Sequence, residues 1–255
     1  MKHLPNLFTL VNLLFGSLAI IFILQSGQTL VTVNEDVLNI NLPEKIWFGS
    51  LCIGIAAVVD FLDGLVARLC KATSNMGKEL DSLADVVSFG VAPGMIIYQF
   101  LRMSYAREVD GLEVSMWWLF PAMIIPCAAA YRLAKFNLDS TQQFGFKGVP
   151  TPASAILIAS LPLIFRYRNN NDTILFLLTN KWILYGIILL LSYLMVSNMP
   201  LMALKFNGFS LQKNLPKLVL LLIAIIAAIL FNWLAVPIVF IFYIVLSLAF
   251  KNKTT

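Results

Sequence analysis

Residues 46–69 read IWFGSLCIGIAAVVDFLDGLVARL, an unbroken apolar run that nevertheless contains two aspartates. A helix needs about 20 apolar residues to cross a bilayer core. Over the whole chain, 60% of the 255 residues are hydrophobic and 12% are charged, whereas a typical soluble domain is about 25% charged. Lipid cannot satisfy backbone polar groups, and the apolar runs are continuous rather than alternating. The sequence therefore predicts an all-α fold, a polytopic membrane helix bundle.

Eight apolar runs are long enough to be considered as spans. They cover about 8–25, 46–69, 82–102, 115–136, 151–166, 182–198, 216–232 and 234–250. Placing the N-terminus in the cytoplasm puts Lys and Arg on the cytoplasmic side roughly two to one, which favours cytoplasmic termini. The sixth span is the weakest, because the apolar stretch 174–178 before it is short and suits a re-entrant or interfacial piece. A seven-span alternative would leave the C-terminus outside. Residues 26–45 are interpreted as a polar connection.

Composition also excludes several classes of site. The chain has one histidine, so a histidine-based metal site or catalytic triad is excluded. The three cysteines are scattered and have neither a disulfide framework nor metal-ligand spacing. The net charge of +5 is explained by lysines in cytoplasmic loops, so no nucleic-acid partner is expected.

Four aspartates lie within or beside two of the apolar runs. Asp60 and Asp63 are three residues apart, and Asp81 and Asp85 are four apart, so each pair occupies one face of its helix. The link between the two helices is short, so they are antiparallel neighbours and the four carboxylates converge. Intramembrane carboxylates need a compensating partner. Hard divalent cations such as Mg²⁺ or Mn²⁺ fit, and a pair of such ions suits displacement at phosphorus.

Small residues accompany these aspartates. Gly64, Ala67 and Gly77 remove bulk beside the carboxylates and would let a flat or phosphorylated ligand approach, while Arg68 is suited to phosphate oxygens. Two other interpretations remain: static pairing of the carboxylates with Lys or Arg, and a proton or cation pathway. Against a pathway, the third span continues after Ser88 as FGVAPGMIIY, which is largely apolar.

The spacing of these residues resembles a known signature. Asp60-x2-Asp63-Gly64-x2-Ala67-Arg68-x8-Gly77-x3-Asp81-x3-Asp85 matches that of the CDP-alcohol phosphatidyltransferase family at each fixed position. The stretch 5–12, with Asn6, Thr9 and Asn12, resembles the family's opening segment. Residues 81–93, 132–137 and 148–155 resemble the membrane-embedded phosphatidylserine synthase branch of this family.

The resemblance implies a reaction and its participants. The hydroxyl of L-serine would attack the β-phosphorus of CDP-diacylglycerol, releasing CMP. Asp60, Asp63 and Asp81 would bind two Mg²⁺ or Mn²⁺ ions, and Asp85 would contact metal and act as the general base. The CDP pocket would comprise Asp60, Gly64, Ala67, Arg68, Gly77, Asn6, Thr9 and Asn12. Thr9, Asn12 and Asn6 have a second interpretation as caps of the first helix. The alternative acceptors are glycerol 3-phosphate and inositol.

Fewer residues are candidates for binding the acceptor alcohol. Ser88, Arg132 and Lys135 are candidates for binding the serine, with Arg132 suited to bidentate pairing with a carboxylate. An ordinary positive-inside anchor is the other interpretation of Arg132 and Lys135.

The resemblance also implies an architecture. A six-helix family domain would occupy residues 1–200, and a two-helix membrane extension would occupy 201–255. The protein is expected to be a homodimer among membrane lipids in a bacterial inner or plasma membrane, with its site facing the cytoplasm.

Overall fold

The computed structural model describes residues 4–25, 27–33, 36–42, 45–69, 74–107, 114–138, 146–167, 171–202 and 211–250. Its helices are α1 (Leu4–Leu24), α2 (Ile46–Leu69), α3 (Asn75–Asp85), α4 (Ala92–Tyr105), α5 (Met116–Leu119), α6 (Ile124–Leu138), α7 (Thr151–Tyr167), α8 (Asp172–Thr179), α9 (Lys181–Val196), α10 (Leu211–Phe231) and α11 (Ala235–Ala249). A π-helix (Val86–Val91) joins α3 to α4. Short 3-10 helices (Phe120–Met123 and Asn232–Leu234) precede α6 and α11.

A helix lies at each of the eight predicted spans, and the all-α bundle is confirmed. Within the described residues, five helical segments are long and apolar enough to cross a membrane, and a sixth is the pair α8–α9, bent by 59°. This bend agrees with the predicted irregularity before the sixth span. Helix α7 has 17 residues, and the 3-10 helix Asn232–Leu234 joins α10 to α11. The protein is an integral membrane protein, and the number of crossings remains a prediction.

The predicted polar connection at 26–45 contains regular structure. Strands β1 (Gly27–Val33) and β2 (Asp36–Leu42) pair antiparallel, with Gly27 opposite Leu42. Their sequences, GQTLVTV and DVLNINL, are rich in β-branched residues, which favour strands. A second short pair joins β3 (Phe146–Lys147) to β4 (Pro200–Leu201). The connection at 26–45 therefore contains two paired strands that were not predicted from the sequence.

The main core fills the space between α1, α2, α4, α6, α7 and α9. It includes the fully buried Ile53, Phe100 and Ile158. Helix α1 lies along α2 over a long contact. At Gly49 the absence of a side chain permits this approach, because a Cβ there would come within 2.5 Å of the Ile23 side chain. This packing holds the polar residues of α1 beside the aspartates of α2.

A second, smaller core attaches the C-terminal helices. Val149, Leu194, Leu201, Leu220 and Tyr243 are its buried members, together with Met202. The cluster joins α11 and α10 to the β3–β4 pair and to the end of α9. The predicted cytoplasmic positions of the two termini concern residues 1–3 and 251–255, which lie outside the described residues.

Candidate active site

Three of the four aspartates form one cluster. Carboxylate oxygens of Asp60, Asp63 and Asp81 all lie within 4.8 Å of one another. Asp63 is buried, while Asp60 and Asp81 are partly exposed. The antiparallel arrangement of α2 and α3 thus brings together the two predicted faces. Asp85 is also buried, one turn along α3 from Asp81, but its carboxylate is not a member of the group of three.

The cluster is suited to a divalent cation. Ionised carboxylates offer only acceptor oxygens, which hard divalent ions prefer. Asp81 Oδ1 is buried and has no hydrogen-bond partner among the described residues, and a buried polar atom of that kind calls for a ligand. The donor set therefore fits a metal such as Mg²⁺ or Mn²⁺.

Helix α1 contacts the aspartates directly through two polar side chains. Thr9 Oγ1 donates to Asp63 Oδ2 at 2.8 Å, and Asn12 Nδ2 donates to Asp85 Oδ1 at 3.2 Å. Thr9 is 3% exposed and Asn12 is fully buried. Both lie well inside a helix that begins at Leu4, so the alternative interpretation of these two residues as caps was wrong. They hold carboxylate oxygens on two different helices.

The π-helix places Ser88 against α1. Ser88 is fully buried, and its hydroxyl donates to the backbone oxygen of Asn12 at 3.1 Å. Gly16 makes room for it, since a Cβ at Gly16 would overlap the Ser88 side chain. Segments of π-helix inside α-helices are frequent at functional sites. Here the segment supports the residue that holds Asp85, and the predicted contact of Ser88 with the acceptor stays a prediction.

The small residues of the signature lie near the open side of the cluster. A Cβ at Gly64 would meet nothing within 4 Å, so space is available there. Arg68 is exposed, and its Nε donates to the Gly64 backbone oxygen at 2.8 Å. Ala67, also in the last turns of α2, is partly exposed. A ligand therefore has room to approach the backbone on the face beside Gly64.

The start of α3 brings Asn6 and Gly77 together. Gly77 N donates to the hydroxyl of Ser74, the N-cap of the helix, at 3.0 Å. A Cβ at Gly77 would lie 3.1 Å from Asn6 Oδ1, so the Asn6 side chain lies over this glycine. Sequence reasoning missed Ser74, although Ser followed by a helical segment is a common N-cap signal.

The two basic candidates on α6 differ in their surroundings. Arg132 is 7% exposed and donates through Nη1 to Thr151 Oγ1 at 2.8 Å, while its Nε has no partner among the described residues. Asp85 lies within electrostatic range of it. Lys135 instead donates to Asn198 Oδ1 at 2.7 Å and to the Val196 backbone oxygen at 3.3 Å, at the end of α9. Only Arg132 is directed to the buried interior.

Thr151 was not predicted from the sequence. It lies in the stretch 148–155, whose resemblance to the synthase branch assigned this threonine no role. A fully buried threonine at the first position of a helix beside a buried arginine is recognisable only once the helices are packed.

Comparisons with known proteins agree with this geometry. The family model for CDP-alcohol phosphatidyltransferase matches residues 2–195.

The chain belongs to the CDP-alcohol phosphatidyltransferase family.

Several curated relatives carry one name, CDP-diacylglycerol–serine O-phosphatidyltransferase. The protein of that name from Helicobacter pylori is 33% identical over 225 residues, covering 86% of this chain and 78% of the relative. The one from Bacillus subtilis is 31% identical over 165 residues, covering 65% and 78%. The one from Methanocaldococcus jannaschii is 38% identical over 120 residues, covering 47% and 53%. The family match ends at the end of α9, before α10 and α11.

Proposed function

We propose that this protein is an enzyme that transfers the phosphatidyl group from CDP-diacylglycerol to the hydroxyl of L-serine, giving phosphatidylserine and CMP. The observation that carries this proposal is the cluster of Asp60, Asp63 and Asp81 with Asp85 beside it, in a chain of this family. The relatives named above act on serine by name. A cation or proton transporter, the alternative from another class, finds no support in this relationship.

The carboxylates are proposed to hold two divalent cations, Mg²⁺ or Mn²⁺. Asp60, Asp63 and Asp81 would be the ligands, and Asp85 would add a contact from the next turn of α3. When bound, such cations neutralise a diphosphate and stabilise the charge on departing CMP. Thr9 and Asn12 orient two of these carboxylates by donating a hydrogen bond to one oxygen of each.

The nucleotide is proposed to lie over Gly64, Ala67, Arg68 and Gly77. The space beside Gly64 admits it close to the backbone. Asn6 lies over Gly77 at the start of α3, where it can contact the nucleotide from α1.

Asp85 is proposed to take the proton of the serine hydroxyl as that oxygen attacks the β-phosphorus. A bond forms from the serine oxygen to phosphorus, the bond from phosphorus to the CMP oxygen breaks, and CMP leaves with that electron pair. Burial excludes bulk water from this base, and the Asn12 amide fixes its orientation. A positioned base of this kind contributes about 10²–10⁴-fold.

Arg132 is proposed to bind the serine carboxylate. Its guanidinium is buried and within electrostatic reach of Asp85, and its Nε has no partner in the described part of the chain. Arginine pairs bidentately with carboxylates. Lys135, which holds the end of α9, would act from further away. The protein is proposed to lie in a bacterial inner or plasma membrane with its site facing the cytoplasm. It is proposed to be a homodimer. Residues 1–200 are proposed as the family domain and residues 201–255 as the C-terminal extension.

An acceptor panel tests the function. Purified protein in lipid nanodiscs, supplied with CDP-diacylglycerol and Mn²⁺ or Mg²⁺, is assayed for CMP release with L-serine, glycerol 3-phosphate or inositol. We expect CMP release with L-serine and not with glycerol 3-phosphate or inositol. Release with another acceptor but not with serine would overturn the serine assignment and retain the family reaction, whereas no release with any acceptor would contradict the enzymatic proposal.

A further inference from the structure

An apolar groove leads away from the carboxylate cluster along α2. It consists of two adjoining cavities of about 710 and 460 Å³, which share Ile156 and Val236 in their linings. Asp60 lines the first cavity, and Ser50 lines the second. Ten residues of helix separate these two positions, so the groove follows α2 for about 15 Å. It begins at Asp60 of the candidate metal cluster and extends toward the start of α2.

The groove has one wall from the family domain and one from the C-terminal extension. On the first side, α2 and α7 contribute residues such as Ala57 and Ala153. On the other side, α10 and α11 contribute Ala224, Ala228 and Val239. Small side chains on both walls leave the volume between them. The second wall belongs to helices beyond the end of the family match at residue 195.

The far end of the groove is formed by the connection between α10 and α11. Trp233 lines the second cavity there, and its ring stacks on that of Tyr167 with centroids 6.3 Å apart. The distance from Asp60 to this end is comparable with one leaflet, since a bilayer hydrocarbon core is about 30 Å thick.

We propose that this groove holds one acyl chain of the CDP-diacylglycerol substrate, and that the α10–α11 pair supplies the wall that sets the preferred chain length. The inference rests on the proposed function. Apart from Asp60, the lining residues of the first cavity carry no charge. Asp60 is both a member of the carboxylate cluster and a lining residue of the groove. A lipid whose diphosphate lies at the cluster therefore has an apolar channel beside its glycerol. A bulk phospholipid lacks the diphosphate that would hold it there.

Gly54 provides a direct test. It lines the second cavity, it is exposed, and a Cβ there would meet nothing within 4 Å, so Gly54→Leu adds a side chain at the groove from a position with space around its Cβ. Gly186→Leu is the matched control. Gly186 is also an exposed mid-helix glycine with nothing within 4 Å of its Cβ, and it lines neither cavity. Each variant is assayed for serine-dependent CMP release with dioctanoyl and with dipalmitoyl CDP-diacylglycerol.

The measured quantity is the ratio of kcat/KM for the long-chain lipid to that for the short-chain lipid. We expect Gly54→Leu to lower this ratio about tenfold, the effect of losing roughly two methylene contacts, and Gly186→Leu to leave it unchanged. A general loss of folding would reduce both values and leave the ratio constant. An unchanged ratio in Gly54→Leu overturns the groove, whereas a wild-type protein inactive with serine on both lipids contradicts the proposed function instead.

Ala224→Leu tests the wall from the extension separately. Ala224 lies on α10 and lines the first cavity, closer to Asp60. We expect a fall in the same ratio, because the side chain narrows the groove for any chain that extends past it. If Gly54→Leu lowers the ratio and Ala224→Leu does not, the groove holds the acyl chain but the extension does not set the preferred acyl-chain length. That result would overturn the proposed role of the α10–α11 wall.

Discussion

At the scale of single residues, the candidate site consists of carboxylates, which are costly to bury in a membrane, and of the side chains that donate hydrogen bonds to them. Three carboxylates gather within 4.8 Å, and a fourth lies beside them under the amide of Asn12. Such groups are costly in a bilayer unless each has a partner. The hydrogen bonds from α1 satisfy one oxygen each on Asp63 and Asp85, and a buried oxygen of Asp81 is left to a ligand.

Asp85→Asn tests the proposed base. Asparagine keeps the shape of the side chain and cannot accept the serine proton, so we expect kcat for CMP release to fall by about 10²–10⁴-fold. Binding of Mn²⁺, followed by electron paramagnetic resonance, should lose only the contact that Asp85 adds, because the cluster of Asp60, Asp63 and Asp81 is intact. Full activity in this variant would remove the general-base role.

Thr9→Val tests the orientation of Asp63. Valine has nearly the same shape but cannot donate to Asp63 Oδ2. Removal of such an outer-shell hydrogen bond typically costs 10–100-fold in metal affinity. We expect the Mn²⁺ concentration for half-maximal activity, and the dissociation constant of Mn²⁺ itself, to rise by about that factor. Thr9→Ser restores the donor and should restore both values; failure of this rescue would assign Thr9 a packing role only.

Arg132→Lys tests the acceptor site. Lysine keeps the charge but lacks the planar pair of donors that suits a carboxylate. We expect KM for serine to rise, by about tenfold for a loss of roughly 1.4 kcal/mol, while KM for CDP-diacylglycerol stays within error. An equal change in both Michaelis constants would indicate that Arg132 acts on the structure of the site rather than on serine.

At the scale of elements, the site requires α1 to lie close to both α2 and the π-helix. Glycines at the contact make this possible, since Gly49 admits Ile23 and Gly16 admits Ser88. The π-helix begins immediately after Asp85, and its third residue, Ser88, bonds back to the Asn12 backbone. The orientation of Asp85 is thus linked to helix packing one turn away.

Gly16→Ala tests this contact. The added Cβ would overlap Ser88, including its backbone at 2.8 Å, so α1 and the π-helix must separate. Overpacking of this kind costs about 1–3 kcal/mol in the free energy of unfolding. We expect a lower thermal unfolding midpoint together with reduced kcat. The matched control is Gly54→Ala, whose Cβ meets nothing within 4 Å and should not lower the midpoint.

At the scale of the whole molecule, a buried polar link holds helix α11 against Met202, the residue that directly follows strand β4. Tyr243 of α11 donates to the Met202 backbone oxygen at 3.1 Å, and Met202 N donates to Ser247 Oγ at 3.2 Å. Tyr243 is also a member of the second core cluster and lines the groove. One residue therefore joins the extension, the β3–β4 pair and the proposed acyl-chain site.

Tyr243→Phe tests the link. The ring remains in the cluster and the hydrogen bond to Met202 is lost, so we expect the free energy of unfolding to fall by about 1 kcal/mol. Thermal unfolding in detergent measures the change. The control is Tyr193→Phe, because Tyr193 is 68% exposed. Equal midpoints for the two variants would show that the Tyr243 hydroxyl contributes nothing to the packing of α11 beside strand β4.

The sequence by itself determined that this protein lies in a membrane, that its fold is all-α, and that its candidate site contains the aspartates from Asp60 to Asp85. Long apolar runs can satisfy their backbone only as helices, and the spacing of Asp60 to Asp85 places the carboxylates on two helix faces at one end of the bundle. These properties follow from local periodicity and composition, which need no knowledge of distant contacts.

Only the tertiary structure decided which side chains support the carboxylates and where the C-terminal helices lie. Thr9 and Asn12 are 54 and 73 residues from the aspartates they contact, and the link from Tyr243 to Met202 spans 41 residues. Neither periodicity nor propensity encodes pairs at such separations, because they arise from how glycines and small residues let helices approach. The strands at Gly27–Val33 and Asp36–Leu42 are a further case, since pairing between them, rather than either sequence alone, stabilises the ladder.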